Sequence, residues 1–229
     1  MFNCSITGFG WISADSFGCG TGSSFNGFSA GELPQLTRKD IFPKPDRAFG
    51  RLDKFSRLGL GGIAFALRDA GLEQWQQKRP IAIYADSNSG CYATDRQYFA
   101  SVIDGNGEFA SPQLFAYTLP NTFLGEAALR FGLTGNCQIC NHNGSDSLLI
   151  LRTAIDDIAM GDHEQVIAGY CDYDGNGSIG KAGALFMVIQ QQSDGGDGMV
   201  IMQEDDGSLL FNGHTLDTVT QLINYLQQS

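Results

Sequence analysis

The chain has 229 residues, of which 42% are hydrophobic, and its formal net charge is −11. This length and apolar content fit one large folded domain or two small ones, and they exclude wholesale disorder. No apolar run is long enough for a membrane span, and the first residues lack the basic and apolar regions of a secretory signal, so we expect a cytoplasmic protein. The acidic balance argues against nucleic acid as a partner. The six cysteines have no compact framework spacing, so we expect free thiols that are largely buried.

Apolar periodicity predicts strands that alternate with helices along most of the chain. The predicted strands are 5–9, 81–85, 137–141, 165–170, 184–189, and a hairpin of 199–202 with 209–211. The predicted helices are 53–70, 94–103, 124–131, 145–160 and 216–226. Three glycines inside the first helix, at positions 59, 61 and 62, suggest that another backbone packs closely there. The alternation predicts an α/β fold with a mainly parallel sheet.

Two patterns suggest metal sites, and in both cases the sequence favours an interpretation without a metal. The segment 172–179 imitates the first eight positions of a calcium loop, but the position that needs a bidentate Glu is Gly183, so we favour a polar turn. A calcium-dependent structural module stays as a minor alternative. Cys137, Cys140 and His142 have a spacing that suggests zinc, yet no second cluster is present and residues three apart on a strand point to opposite faces. We therefore expect packing cysteines and no metal.

Two further motifs suggest other chemistry. Gly18, Gly20 and Gly22 could cradle a phosphate, but position 23 is Ser and no helix pattern begins there, so the sequence favours a loop and no cofactor. His142, Ser145 and Asp146 are the residue types of a hydrolytic triad, although no G-x-S-x-G elbow is present. An autonomous thioesterase-like hydrolase that uses these three residues is the alternative function. His163 and His214 are expected at the surface.

Several segments together resemble the N-terminal half of a β-ketoacyl synthase. They are the opening segment 6–13, Arg51 and Asp53 with Phe55-Ser56, the run 69–72, Pro120-Asn121, the run 131–135, the strand 166–169 and the loop 180–184. The resemblance covers about residues 1–190 and implies half of a thiolase-like fold. Residues 191–229 are expected to add a hairpin and a helix that pack on the same domain.

The resemblance also locates the position of the family's nucleophile. In that family the catalytic cysteine lies nine residues after the glycine that matches Gly135 and 17 before the one that matches Gly161, and both counts fall on Gly144. Glycine has no side chain to acylate, so His142, Asn143, Gly144 and Ser145 are expected to be a vestigial site. Cys140, the nearest thiol, is expected within the preceding strand. The family's two catalytic histidines belong to a C-terminal half for which only about 40 residues remain after Ile189.

The family precedent for such a chain is the chain-length factor, a catalytically dead paralogue that pairs with an active ketosynthase. This sequence looks most like the short version that accompanies the ketosynthases of aryl-polyene clusters. The resemblance implies a heterodimer with a full-length ketosynthase, which it stabilises and whose acyl chain length it sets. An acyl carrier protein would dock mainly through that partner. The residues that match the partner-facing loop, and so could line the neighbour's tunnel, are Phe115, Tyr117, Thr118, Leu119 and Phe123.

Some alternatives stay open at this stage. Larger chain-length factors often carry Gln at the nucleophile position, so a decarboxylating role that depends on Gln is not implied for Gly144. Half of a ketosynthase would leave an apolar helix uncovered, unless the last 40 residues or a partner chain cover it. The acyl substrate and the final chain length are not specified by the sequence.

Overall fold

The computed structural model describes residues 1–20, 28, 31–44, 46–104, 107–108, 110–141, 148–173, 182–192 and 199–228. Its strands are β1 (Phe2–Ile12), β2 (Phe17–Cys19), β3 (Ala82–Asp86), β4 (Cys137–Cys140), β5 (Gln165–Asp172), β6 (Gly183–Gln191), β7 (Met199–Gln203), β8 (Leu209–Phe211) and β9 (His214–Leu216). Its α-helices are α1 (Arg38–Ile41), α2 (Lys54–Asp69), α3 (Tyr92–Asp104), α4 (Pro112–Phe115), α5 (Thr122–Phe131), α6 (Leu149–Met160) and α7 (Val219–Gln228). None of the helices in these ranges is long and apolar enough to cross a membrane.

The described strands form one sheet in the order β4-β3-β5-β6-β1-β7-β8-β9, and β2 pairs with the end of β1. The α/β fold class is confirmed. Parallel pairing is confined to β4–β3–β5, where helices connect consecutive strands. The pairs β5–β6, β6–β1 and β1–β7 are antiparallel, so the sheet as a whole is mixed. The expected parallel arrangement holds only where a helical crossover returns the chain to the same end of the sheet.

Helix α2 lies directly on β1 because two glycines of the strand allow it. A β-carbon on Gly8 would lie 2.4 Å from the backbone nitrogen of Ala70, and one on Gly10 would lie 2.3 Å from that of Ala66. The helix begins at the N-cap Asp53, whose carboxylate accepts a hydrogen bond from the Ser56 amide at 2.9 Å. It is continuous through its interior glycines. The neighbours of those glycines are side chains, Phe123 and Phe186 among them, and not the backbone that the sequence suggested.

Helices cover both faces of the sheet. On one face, α2 and α5 enclose a core that includes Phe55, Phe123 and Phe186. On the other face, α6 and α7 share a second core, to which α7 contributes Leu222, Ile223 and Leu226. The strands β7, β8 and β9 continue the sheet from β1 to this helix.

The outer face of α6 differs from what half of a ketosynthase predicts. Arg152 and Asp156 are exposed on this face. The carboxylate of Asp156 accepts a hydrogen bond from the side-chain amide of Gln203 at 2.9 Å. The apolar side of α6 faces the sheet and belongs to the same core as α7. The residues after β6 therefore help to cover this core, and α6 presents a largely polar face outward.

Candidate functional site

The residues expected to form a vestigial site follow β4 in sequence, and the carboxyl end of β4 lies beside those of the parallel strands β3 and β5, where open α/β sheets place their ligands. His142, Asn143, Gly144 and Ser145, together with Asp146 of the alternative triad, follow the end of β4 and lie outside the described residues. Cys140 is the last residue of β4 and half-buried, as expected. What the structure describes around this edge is a set of buried polar groups.

Asp172, at the end of β5, is the centre of one group. Its Oδ1 accepts hydrogen bonds from the Ser89 amide at 2.9 Å and from the Ser87 hydroxyl at 3.3 Å. Its Oδ2 accepts from the Tyr170 hydroxyl at 2.9 Å. Burial, and then the Asp172 charge, raise the pKa of Tyr170 far above its ordinary value. The first ligand of the imitated calcium loop is thus engaged by donors of the chain itself, which gives the calcium interpretation no support.

Asp53 is the centre of the second group. Besides capping α2, its carboxylate accepts a hydrogen bond from the buried hydroxyl of Thr94, in the first turn of α3. Cys91 lies next to this turn, and burial, followed by the charge of Asp95, raises its pKa to about 12. Cys91 is therefore a neutral thiol near pH 7 and a poor candidate nucleophile.

The five residues predicted to face a partner fall into different environments. Phe115 and Leu119 are each more than 60% exposed, whereas Tyr117 and Thr118 are half-buried. Phe123 is wholly buried, and its ring packs against Phe55 with 5.4 Å between the ring centroids. The expectation that Phe123 lines a partner's channel is corrected, because a side chain enclosed in the chain's own core cannot reach a neighbour.

Sequence reasoning missed an exposed apolar stripe on α3. Tyr92, Phe99 and Ile103 are all more than half exposed, and their spacing of seven and four residues places them on one side of the helix. Helix α4 lies beside α3, and the rings of Tyr98 and Phe115 are 5.4 Å apart. We call this surface the α3–α4 face, defined by Tyr92, Phe99, Ile103, Phe115 and Leu119. The seven-residue spacing was the signal that could have revealed it.

The edge strand β4 lies close to the α3–α4 face. Its last carbonyl, at Cys140, accepts a hydrogen bond from the Ser87 amide at 3.0 Å, and the Asn141 side chain donates to the Asn88 carbonyl at 3.2 Å. Both bonds join β4 to the loop that enters α3. Cys137 and Gln138 of β4 are exposed, and within the described ranges β4 pairs only with β3.

The remaining candidate residues do not form a second site. Among the described residues, no group of three His, Cys, Asp or Glu side chains could hold a metal ion. His214 is exposed and stacks on Tyr225. His163 is half-buried, contrary to expectation, because its Nδ1 lies 2.8 Å from Oδ1 of the buried Asp157, which also accepts a hydrogen bond from Tyr84.

Comparison with known proteins identifies the class. Residues 27–200 match the model of the β-ketoacyl synthase N-terminal domain, and the chain belongs to this family. No curated protein matches it in sequence.

Solved structures share the fold at low sequence identity. The ishigamide ketosynthase/chain length factor has a TM-score of 0.65 at 12% identity, over 83% of this chain and 58% of that chain. The complex of the ketosynthase ApeO with its chain length factor ApeC from Xenorhabdus doucetiae gives 0.58 at 17% identity, over 85% of this chain and 81% of that chain. The AntDE:AntF complex of a type II polyketide ketosynthase with its acyl-carrier protein gives 0.64 at 15% identity, over 83% and 64%. The chain thus spans less than two thirds of the first of these relatives.

Proposed function

We propose that this chain is a non-catalytic, chain-length-factor-like subunit that pairs with a full-length ketosynthase. The α3–α4 face is the observation that carries the proposal. Four large apolar side chains stand exposed on the adjacent helices α3 and α4, and Leu119 is exposed just after α4, whereas most other large apolar residues of the described chain are buried in two cores. Exposed apolar surface of this kind marks interaction sites, and aromatic side chains are enriched at the centres of protein interfaces.

The edge strand strengthens this interpretation. An edge strand offers unpaired backbone groups to another chain, and β4 is short, partly exposed and next to the α3–α4 face. A partner that covers both would bury apolar side chains and extend the sheet. The neighbours with the same fold include complexes of a ketosynthase with a chain length factor, which favours a ketosynthase as that partner.

The lack of a nucleophile supports an accessory role. The resemblance places Gly144 at the family's cysteine position, and the nearby Cys91 is held neutral by burial. The hydrolase alternative depends on His142, Ser145 and Asp146, and the structures compared above give it no support.

The proposed contribution to the reaction is a limit on acyl chain length in the partner's tunnel. Of the residues expected to set this limit, Phe115 and Leu119 are the ones exposed enough to approach a partner. A bulky side chain that closes a packed channel is costly to displace, and this cost would stop elongation.

The acyl carrier protein is expected to dock mainly on the ketosynthase, because carriers are acidic and this chain has a net charge of −11. The charge is not uniform, however. Seven of the 14 basic residues fall between positions 38 and 57, where three residues are acidic. The seven basic residues are Arg38, Lys39, Lys44, Arg47, Arg51, Lys54 and Arg57. This segment is the part of the chain whose charge complements an acidic carrier.

Co-purification tests the proposal. The chain is expressed with a full-length ketosynthase from its source organism, and the ketosynthase carries the affinity tag. We expect wild type and Met160→Asp to be retained, because Met160 is exposed at the end of α6, away from the α3–α4 face, whereas Phe99→Asp should be lost. Retention of Phe99→Asp at the wild-type level would contradict the proposed interface. A reconstituted system that makes products of the same length with and without this chain would contradict the chain-length role.

A further inference from the structure

Two carboxylates from other parts of the fold, the buried Asp172 and the half-buried Asp53, hold the first turn of α3 and the loop that enters it. Asp172 of β5 binds Ser87 and Ser89 in that loop, and Asp53, the N-cap of α2, binds Thr94 in the first turn. Ser87, Thr94 and Asp172 are each less than a tenth exposed. Asp53 is 41 residues from its donor Thr94 in the sequence, and Asp172 is 83 residues from its donor Ser89. These hydrogen bonds therefore form only in the assembled fold.

The rest of α3 has less support. Beyond its first turn it packs mainly against the short helix α4, and Tyr92, Phe99 and Ile103 along it are exposed. The direction of the helix is therefore set largely at its N-terminal end. Hydrogen bonds that end on a charged acceptor are stronger and more directional than neutral ones, which suits them to this task.

The length of the helix amplifies any error at that end. At about 1.5 Å of rise per residue, Ile103 lies about 16 Å from Tyr92 along the axis, so a tilt of about 10° would move it by about 3 Å. A displacement of that size takes an apolar side chain out of register with a close-packed partner surface.

We infer that Asp53 and Asp172 are positioning residues for the partner interface, because they fix the orientation of α3 and hence of the α3–α4 face. The inference rests on the proposed function, since it presupposes that this face binds the ketosynthase. It assigns to two carboxylates near the vestigial site a role in assembly and none in chemistry.

Thr94 offers a matched test with the full chain and the ketosynthase. Thr94→Val keeps the shape of the side chain and removes the donor to Asp53, whereas Thr94→Ser keeps the donor. We expect Thr94→Val to raise the dissociation constant for the ketosynthase by about 10-fold, because one hydrogen bond to a charged group is lost. Thr94→Ser should have a dissociation constant near the wild-type value. Hydrogen exchange of the free chain should show faster exchange confined to α3 in Thr94→Val.

Three outcomes would overturn the inference. They are an unchanged affinity for Thr94→Val, equal weakening by Val and Ser, and faster exchange throughout the chain in place of α3 alone. If Thr94→Val does not fold, Asp172→Asn gives the same measurement from the other carboxylate, and an unchanged affinity there would overturn the inference. Phe99→Asp, measured in parallel, separates the two proposals. If Phe99→Asp and Thr94→Val both bind like wild type, the proposed interface is wrong. If Phe99→Asp fails to bind while Thr94→Val binds like wild type, only the positioning role is wrong.

Discussion

The ring of Phe123 in α5 lies directly over Gly59 in α2. A β-carbon on Gly59 would come within 2.5 Å of Cδ2 of that ring, a distance that real β-carbons essentially never show. The missing side chain at position 59 is therefore the space that Phe123 fills, and it joins the two helices on this face of the sheet. This contact also explains why Phe123 is enclosed when its neighbours Phe115 and Leu119 are exposed.

Both halves of this contact should matter for stability. Phe123→Ala should lower the free energy of unfolding by about 3–5 kcal/mol, because it leaves a cavity in the core. Gly59→Ala should also destabilise, because overpacking outweighs a gain in helix propensity of about 1 kcal/mol. Gly125→Ala, at an exposed position in α5 where a β-carbon meets nothing within 4 Å, is the control and should stabilise.

Urea denaturation of the three variants measures these effects. A Gly59→Ala variant as stable as Gly125→Ala would show that the ring can move aside. Neither core variant is expected to act through the partner's tunnel. A Phe123→Ala protein that keeps wild-type stability yet lengthens the products would restore the original expectation for this residue.

Cys137 reports on the edge strand. It is exposed on β4, whereas Cys4, Cys91 and Cys171 are buried. Partial desolvation of its sulfur raises the pKa of Cys137, so we expect a maleimide to label it more slowly than an unperturbed thiol in the free chain at pH 8, and labelling to slow at least about a further 10-fold when the ketosynthase covers the strand. Cys137→Ser identifies the labelled site by mass spectrometry. Equal labelling rates in the free chain and in the complex would show that the partner does not cover β4.

Asp46 and Arg130 predict a dependence of stability on pH. Burial acts to raise the pKa of Asp46, but hydrogen bonds from Arg130, at 2.6 Å, and from the Phe49 amide outweigh it, so the pKa lies below its ordinary value of 3.8. A carboxyl group with a lowered pKa in the folded state stabilises the protein above its unfolded pKa, and this contribution is lost as the pH falls through the folded value.

Asp46→Asn should therefore cost about 1–2 kcal/mol of unfolding free energy at pH 7, and this cost should shrink as the pH falls towards 2 and wild-type Asp46 takes up its proton. The exposed Asp217→Asn serves as the control and should leave stability unchanged at both values. Urea denaturation at the two pH values checks this. A cost for Asp46→Asn that is the same at both would show that the charge is not involved.

Local sequence patterns predicted the bounds of a helix well where residues that mark both its start and its end were present. The helix expected over 53–70 is Lys54–Asp69, because Asp53 caps its start and Gly71, with a φ of 70°, follows its end. The first strand was expected over 5–9 and runs from Phe2 to Ile12. Gly8 and Gly10 weaken the strand signal, and their reason for being there is the helix that lies on them.

What the sequence could not predict depends on distant partners. Asp172 belongs with Ser87, which precedes it by 85 residues, and a local pattern suggested a calcium loop in its place. The burial of Phe123 depends on Gly59, and the direction of each strand depends on how its connection crosses the sheet. The family resemblance supplied the fold and the expectation that Gly144 takes the nucleophile position, while the exposure of the α3–α4 face depends on how its helices pack.

Association with a ketosynthase tests the central claim most directly. Light scattering coupled to size-exclusion chromatography should be measured on this chain, on a full-length ketosynthase from its source organism, and on the co-expressed pair. We expect the co-expressed pair to form a single species whose mass equals one copy of each chain. Two separate peaks at micromolar concentration, with this chain eluting by itself, would contradict it.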